Sequence, residues 1–157
     1  MSNGRRYCIS DKRVYTLLCM KADLPCACTM LRRATRTVTA AYDAALTGCG
    51  LRITQFSVLR TLARLGPLPI TRLAAEAELD RSTMGRNLDP LERRGLVRVE
   101  VGETDQRARV AHLTPAGEAA IEAALPHWRA AQKQVAAVIE YGALSALTQQ
   151  LNALRSD

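Results

Sequence analysis

Residues 79–97 read LDRSTMGRNLDPLERRGLV and predict a helix with a polar beginning. Asp80 suits the N-cap position, because its carboxylate can accept hydrogen bonds from the unpaired N–H groups of a first helical turn. Gly95 suits the position after the last turn, where a left-handed backbone is common. Between them, residues 81–87 are mostly small, basic or hydrogen-bonding. We therefore expect a helix from Asp80 to Arg94 whose early face is available to a polar partner.

Shorter helices and a hairpin flank this segment. Thr54 and Thr71 are residue types that can cap two short helices before it. After it, residues 96–101 alternate between apolar and charged side chains, which is the two-residue period of a half-exposed strand. Residues 102–106 are polar and turn-forming, and residues 107–113 predict a second strand. Two short helices followed by a hairpin form a winged helix-turn-helix, so the fold is expected to be mainly α with a small β-hairpin wing.

A longer helical segment lies on each side of this lobe. The first runs from about Pro25 to Thr47, and the second begins at Thr114-Pro115 and breaks or bends at Gly142. Apolar residues recur along the second segment at helical spacing, namely Ile121, Leu125, Trp128, Val135 and Ile139. Such a face has almost no partner in so short a chain, so we expect a second copy to bury it.

These patterns divide the chain into an extension and one domain. Residues 51–114 are expected to form the winged helix-turn-helix lobe. Residues 24–49 and 115–157 are expected to supply N- and C-terminal dimerisation helices. Residues 1–23 lack a clean periodicity and are expected to be a disordered extension, with Met20 as an alternative translation start.

The composition is that of an ordinary globular chain, with 48% hydrophobic and 24% charged residues. No apolar run approaches the roughly 20 residues that cross a bilayer, and no apolar run of signal-peptide length follows the N-terminal charges. We therefore expect a cytoplasmic protein without a membrane partner. The five cysteines all lie in the first third, and their odd number favours reduced thiols over a disulfide framework.

Positive charge is concentrated in the front and middle of the chain. The formal net charge is +7, of which residues 1–51 carry +5, residues 52–113 carry +3 and residues 114–157 carry −1. A basic lobe beside a nearly neutral tail indicates a polyanionic partner, and by charge alone general solubility is the alternative.

The predicted helix after Asp80 has side chains that can read duplex DNA. In a winged helix-turn-helix the second helix enters the major groove, which is wide enough to admit it. Arg86 and Asn87 have the hydrogen-bonding groups to read guanine and adenine edges, and the hydroxyls of Ser82 and Thr83 can reach phosphates or bases. Taken alone these residues suit a solvated helix face equally well, and the neighbouring hairpin favours DNA.

The hairpin tip is the second expected DNA contact. A basic side chain on a projecting loop can enter the narrow minor groove, where the negative potential is enhanced. Arg107 is the first candidate and Arg109 the second, and Asp105 can orient Arg107 through a charge-assisted hydrogen bond. The alternative is a surface ion pair, which contributes about 0–1 kcal/mol.

Taken together, four segments resemble the MarR family of bacterial regulators. They are Leu79–Thr83, Leu91–Val97, Asp105–Arg107 and Leu113–Gly117, and the resemblance covers roughly residues 24–157 in the expected order. It implies a homodimer that binds a palindromic operator in double-stranded DNA, usually as a repressor released by a small phenolic or aromatic ligand or by oxidation. It also implies that the recognition helix acts through Ser82, Thr83, Arg86 and Asn87 and the wing through Arg107.

Cys26 and Cys28 are the most unusual local feature. The start of a helix lowers the pKa of a thiol, and nearby Arg32 and Arg33 act in the same direction. The resemblance implies a use for this, because some similar regulators sense peroxides through a cysteine near the start of their first helix. Residues 50–157 contain no cysteine, so any resolving thiol must come from the N-terminal third of either subunit. The alternative is that each thiol is a small buried hydrophobe.

A small-molecule effector is the other expected switch. The resemblance implies a pocket between the DNA-binding lobe and the dimerisation helices, and Arg36, Tyr42, His127 and Trp128 have suitable polar and stacking groups. Each of these residues equally suits a core or interface position. No metal or cofactor is expected, because His112 and His127 lie on different predicted elements and Cys26-x-Cys28 has no matching second pair.

Two other classes of function compete with DNA binding. An enzyme is not expected, because the sequence has no glycine-rich phosphate loop, no paired motif carboxylates and no nucleophile with an ordered histidine. A winged-helix module that binds protein without specific DNA binding is the closer alternative. The polar and basic beginning of the predicted recognition helix argues against it.

Overall fold

The computed structural model describes residues 26–102 and 106–155. The chain divides into two units, residues 1–37 and residues 38–157, with the boundary inside the first helix. The predicted extension, residues 1–23, lies outside the described residues, as does the start of the first predicted helix at Pro25.

Helices dominate the described residues, and none of these helices is long and apolar enough to cross a bilayer. In chain order the elements are α1 (Ala27–Leu46), a 3-10 turn (Thr47–Cys49), α2 (Ile53–Leu65), β1 (Leu68–Pro69), α3 (Ile70–Glu76), α4 (Arg81–Arg93), β2 (Val97–Val101), β3 (Arg109–Leu113), α5 (Pro115–Ala136), α6 (Tyr141–Asn152) and a second 3-10 turn (Ala153–Arg155). The predicted fold class is confirmed.

The strands form one antiparallel sheet in the order β1-β3-β2. The hairpin is paired from Val97 opposite Leu113 to Val101 opposite Arg109. The third strand was not predicted, because β1 is only two residues long and shows no alternation. Its Pro69 pairs with Val110, which attaches the segment before α3 to the central strand of the wing.

The core forms between the inner faces of the helices and the sheet. Met84, Leu88 and Leu91 of α4 are buried at steps of four and three residues, which is the spacing of one helical face. They join a cluster that contains Phe56 of α2 and Ala111 of β3. Burying this face of α4 leaves its opposite face to solvent.

The helix caps were predicted with mixed success. The Asp80 cap is confirmed, since one carboxylate oxygen accepts from the Thr83 N–H at 2.9 Å. The caps at Thr54 and Thr71 are wrong, because α2 already begins at Ile53 and α3 at Ile70, so each threonine lies inside its helix. The Arg52 N–H that precedes α2 is satisfied by the Gln55 side chain at 3.1 Å.

The break in the C-terminal helical segment lies before Gly142 rather than at it. The α5 helix ends at Ala136, and α6 begins at Tyr141. The Glu140 carboxylate caps α6 by accepting from the Ala143 N–H at 3.1 Å. Gly142 therefore belongs to the first turn of α6.

The start of α5 is hydrogen-bonded to the turn that follows α4 and packs closely against it. The Thr114 hydroxyl donates to the Gly95 carbonyl at 2.7 Å, and Thr114 in turn accepts from the Gly117 N–H at 3.0 Å. A Cβ on Gly117 would lie 2.2 Å from the Leu96 carbonyl oxygen and 2.6 Å from a methyl carbon of Leu113. Only glycine allows this approach of helix to backbone.

We predict that Gly117→Ala lowers the free energy of unfolding by about 1–3 kcal/mol, the usual cost of forcing extra atoms into a packed site. Urea denaturation of both proteins measures the difference. Gly48→Ala is the control, because a Cβ there would meet nothing within 4 Å. Equal stability of Gly117→Ala and wild type would contradict the close contact.

Candidate nucleic-acid interface

The outer face of α4 carries its polar side chains. Arg81, Ser82 and Arg86 are exposed, whereas the opposite face is buried in the core. Asp80 fixes the start of the helix, and its second carboxylate oxygen accepts from the Thr83 hydroxyl at 2.6 Å. These hydrogen bonds from Thr83 hold the pKa of the Asp80 carboxyl below its usual value. The first turn therefore has a defined position from which its side chains project.

Two of the four helix residues predicted to contact DNA make hydrogen bonds within the protein. The Asn87 amide oxygen accepts from the Thr54 hydroxyl at 2.8 Å, and its nitrogen donates to the Thr83 carbonyl at 2.9 Å. The Thr83 hydroxyl is held by Asp80, as described above. Asn87 and Thr83 thus make hydrogen bonds within the first turns of α4, and Asn87 also attaches α4 to α2. Ser82 and Arg86 are exposed to solvent. Sequence reasoning missed this because the contact between Thr54 and Asn87 spans two helices.

The wing is attached to α4 at its base. A carboxylate oxygen of Glu92 in α4 accepts from the Val99 N–H of β2 at 3.1 Å. On the hairpin, Glu100 pairs with Arg98 at 3.0 Å and approaches the His112 ring nitrogen at 3.5 Å. The Glu92 hydrogen bond attaches the hairpin to α4, and the two ion pairs lie within the hairpin itself.

The two predicted wing arginines lie near the beginning of α4. Arg107 and Arg109 are both exposed. Together with Arg81 they line a pocket of about 220 Å³, whose other lining residues are Pro69, Ile70, Thr71 and Ala108. Asp105, which was expected to orient Arg107, lies outside the described residues.

A second cavity lies between α2 and α5. Its volume is about 360 Å³, and it is lined by Phe56, Ser57, Arg60, Thr61, Arg64 and Trp128. The Arg60 guanidinium carbon stands 4.6 Å from the centre of the Trp128 ring and 5.8 Å from that of Phe56. The cavity thus combines aromatic surface with two cationic side chains.

Only one of the four residues expected in an effector pocket lines this cavity, namely Trp128. Tyr42 is buried elsewhere, where its hydroxyl donates to the Gln132 side chain. Burial raises the pKa of Tyr42 to about 12, and a hydrogen bond with Tyr141 adds to the rise. His127 is exposed, and Arg36 is an exposed residue of the first unit. Within the second unit, the cavity beside Trp128 is therefore lined by residues of α2 and not by Tyr42 or His127.

The described cysteines have different surroundings. Cys26 and Cys28 are exposed, whereas Cys49 is half-buried with its sulfur 3.8 Å from the Ala123 carbonyl oxygen. Hydrogen bonds from Thr29, with a smaller contribution from Arg32, lower the pKa of the Cys26 thiol. Within residues 26–102 and 106–155, no group of three or more His, Cys, Asp or Glu side chains could hold a metal ion.

Comparison with known proteins relates this geometry to transcriptional regulators. The MarR family model matches residues 51–108, which run from just before α2 to the residue before β3. No protein with a curated description matches the chain.

Three solved structures show how far the similarity extends. The transcriptional regulator MosR of M. tuberculosis, solved in complex with DNA, is 38% identical over 83% of this chain and 99% of its own, with a TM-score of 0.72. A MarR family transcriptional regulator from Silicibacter pomeroyi is 32% identical over 80% of this chain and 84% of its own, with a TM-score of 0.59. CouR from Rhodococcus jostii, solved with bound p-coumaroyl-CoA, is 26% identical over 80% of this chain and 88% of its own, with a TM-score of 0.66.

Proposed function

This chain belongs to the MarR family, and from that premise we propose that it is a homodimeric transcriptional regulator that binds a palindromic site in duplex DNA. The observation that carries the proposal is the outer face of α4, where Arg81, Ser82 and Arg86 are exposed beside an arginine-bearing wing. MosR, which is 38% identical, was solved in complex with DNA. Such a protein would act in the cytoplasm, where a bacterial chromosome lies.

Each exposed group has a role that its chemistry suits. Arg86 has the fork geometry that binds the O6 and N7 acceptors of guanine, and Ser82 can donate to a base or a phosphate. Arg107 and Arg109 on the wing suit the minor groove. Thr83 and Asn87, which make intramolecular hydrogen bonds, act by holding the reading face in place.

A second copy of the chain is the proposed occupant of the apolar face that α6 and the 3-10 turn after it present. Leu144, Leu147, Leu151 and Leu154 recur at steps of three and four residues and are 36–79% exposed. Residues 141–152 include no charged side chain, so two identical helices can pair without repulsion between like charges. A dimer also matches the two half-sites of a palindrome.

We predict that Leu147→Glu converts the dimer to a monomer, because pairing would bury a carboxylate from each subunit. Sedimentation equilibrium measures the mass. Gln149→Glu, on the opposite side of the same helix from the leucine stripe, is the control. A dimer that persists in Leu147→Glu would contradict an interface on this face.

We predict that Arg86→Ala lowers the preference for a selected duplex over a scrambled one by at least about tenfold, since a bidentate base contact is worth about 1–3 kcal/mol of discrimination. The duplex is first selected from random sequences, and binding is measured by fluorescence anisotropy. Arg129→Ala, an exposed arginine on α5, controls for the loss of charge.

Salt dependence separates this role from that of a protein-binding module. A regulator that contacts about six phosphates should lose roughly a thousandfold in affinity between 50 and 200 mM salt. If wild type preferred no duplex sequence over a plain polyanion, the regulator assignment would be wrong and the winged-helix protein-interaction module would replace it.

We infer that the cavity between α2 and α5 takes a small aromatic acid that controls DNA binding. Phe56 and Trp128 supply ring surface, and Arg60 and Arg64 supply the cations that bind a carboxylate. Its volume of about 360 Å³ lies at the lower end of small-molecule sites, which suits a ligand with one ring. CouR, which is 26% identical, was solved with p-coumaroyl-CoA, an aromatic acyl ligand.

We predict that p-coumarate quenches the fluorescence of Trp128, the single tryptophan of the chain, in a saturable titration. In Arg60→Gln the affinity should fall at least about tenfold, because the carboxylate loses a charge-assisted hydrogen bond worth about 1.5–3 kcal/mol. Arg129→Gln should titrate like wild type. Equal binding of the uncharged amide of p-coumarate would contradict recognition of the acid.

Oxidation of Cys26 is a second means of control, favoured by its exposure and lowered pKa. The thiolate would attack a peroxide oxygen, so that an S–O bond forms, the O–O bond breaks and hydroxide leaves, which gives a sulfenic acid. Cys28 is an exposed thiol two residues away.

We predict that mild hydrogen peroxide releases wild type from its duplex, that dithiothreitol restores binding, and that a double variant with Cys26→Ser and Cys28→Ser stays bound. Anisotropy measures all three states. Cys49→Ser, at the half-buried thiol, should respond like wild type. Release of the double variant by peroxide would contradict a role for this pair.

A further inference from the structure

The pocket at the junction of α4 and the wing has a composition that the reading of bases does not explain. Its lining contains three arginines, from the first turn of α4 and from the wing, and one hydroxyl, Thr71. Among residues 26–102 and 106–155, no acidic side chain lines it. Its volume of about 220 Å³ is below the roughly 300 Å³ at which sites for drug-sized ligands begin, so it suits a single small anionic group.

The fold brings these residues together from distant positions in the sequence. The pairing of Pro69 with Val110 places the start of α3 beside the beginning of β3, where Arg109 lies. The Asp80 cap places Arg81 as the first residue of α4. The pocket therefore depends on the short strand β1, which connects the helix-turn-helix to the wing.

The carboxylate next to Arg81 in the sequence, that of Asp80, is engaged in hydrogen bonds with another residue. Both oxygens of Asp80 accept hydrogen bonds from Thr83, at 2.9 and 2.6 Å. Among the described residues, Arg81 and Arg109 form no ion pair, and both are exposed. Guanidinium groups that line one small pocket favour an anion whose oxygens match their fork geometry, and a phosphate does so.

We propose that this pocket binds one phosphodiester of the DNA backbone, with Arg81 as its principal cation and Thr71 as a hydroxyl donor. The proposal rests on the proposed DNA-binding function. With α4 in the major groove and the wing in the minor groove, the backbone strand that separates the two grooves must pass between these elements. The pocket lies at that place, so it fixes the register of the protein on the duplex without reading a base.

The test compares Arg81→Gln with Arg129→Gln, which removes the same charge from the outer surface of α5. Affinities for the selected and the scrambled duplex are measured between 50 and 200 mM salt. For Arg81→Gln we expect similar weakening on both duplexes and an unchanged preference between them. The slope of log K against log salt should fall by about 0.9 per pocket, or about 1.8 for a dimer, while Arg129→Gln keeps the wild-type slope.

A neutral methylphosphonate linkage placed at each backbone position in turn identifies the phosphate itself. One position in each half-site should weaken the binding of wild type and leave Arg81→Gln unaffected. A wild-type salt slope in Arg81→Gln, or a changed preference between the duplexes, would overturn the phosphate pocket while wild type still selects its sequence. Failure of the underlying function differs from this, because wild type itself would then prefer no duplex.

Discussion

The burial of one face of α4 is the interaction on which the rest of the molecule depends. Met84, Leu88 and Leu91 pack into the cluster around Phe56, and the helix can then present only its other face to a partner. Truncating a buried leucine or methionine to alanine lowers the free energy of unfolding by about 2–5 kcal/mol, so the orientation of the helix is strongly specified. The position of Arg86 in space is thus a consequence of where Met84 is buried.

Much of this arrangement could be predicted from the sequence, and the exceptions share a physical cause. The hairpin, the Asp80 cap and the long helices follow from local periodicity and residue type, because they depend on residues that are close together in the sequence. The strand at Leu68–Pro69 and the hydrogen bond between Asn87 and Thr54 did not follow, because each depends on residues from another element. The Thr54 and Thr71 caps were wrong for a local reason, since the two helices already begin at Ile53 and Ile70.

The same limit applies to the candidate effector cavity. The sequence draws attention to Tyr42, His127 and Trp128 as aromatic or titratable residues, but it does not show which of them share a surface. In the folded chain Trp128 faces Arg60 and Phe56 of α2, while Tyr42 pairs with Gln132. Phe56 lies both in the cavity wall and in the cluster that buries α4, so the cavity and the reading helix have a side chain in common.

The contact between Gly117 and the Leu96 carbonyl has a mechanical consequence. With no space between the start of α5 and the turn after α4, neither can slide past the other. We therefore expect a tilt of α5 to move the turn after α4 with it. In the proposed dimer, an effector that tilted α5 would change the separation between the two copies of α4. Binding to duplex DNA requires that this separation match the distance between successive major grooves on one side, which is about 34 Å.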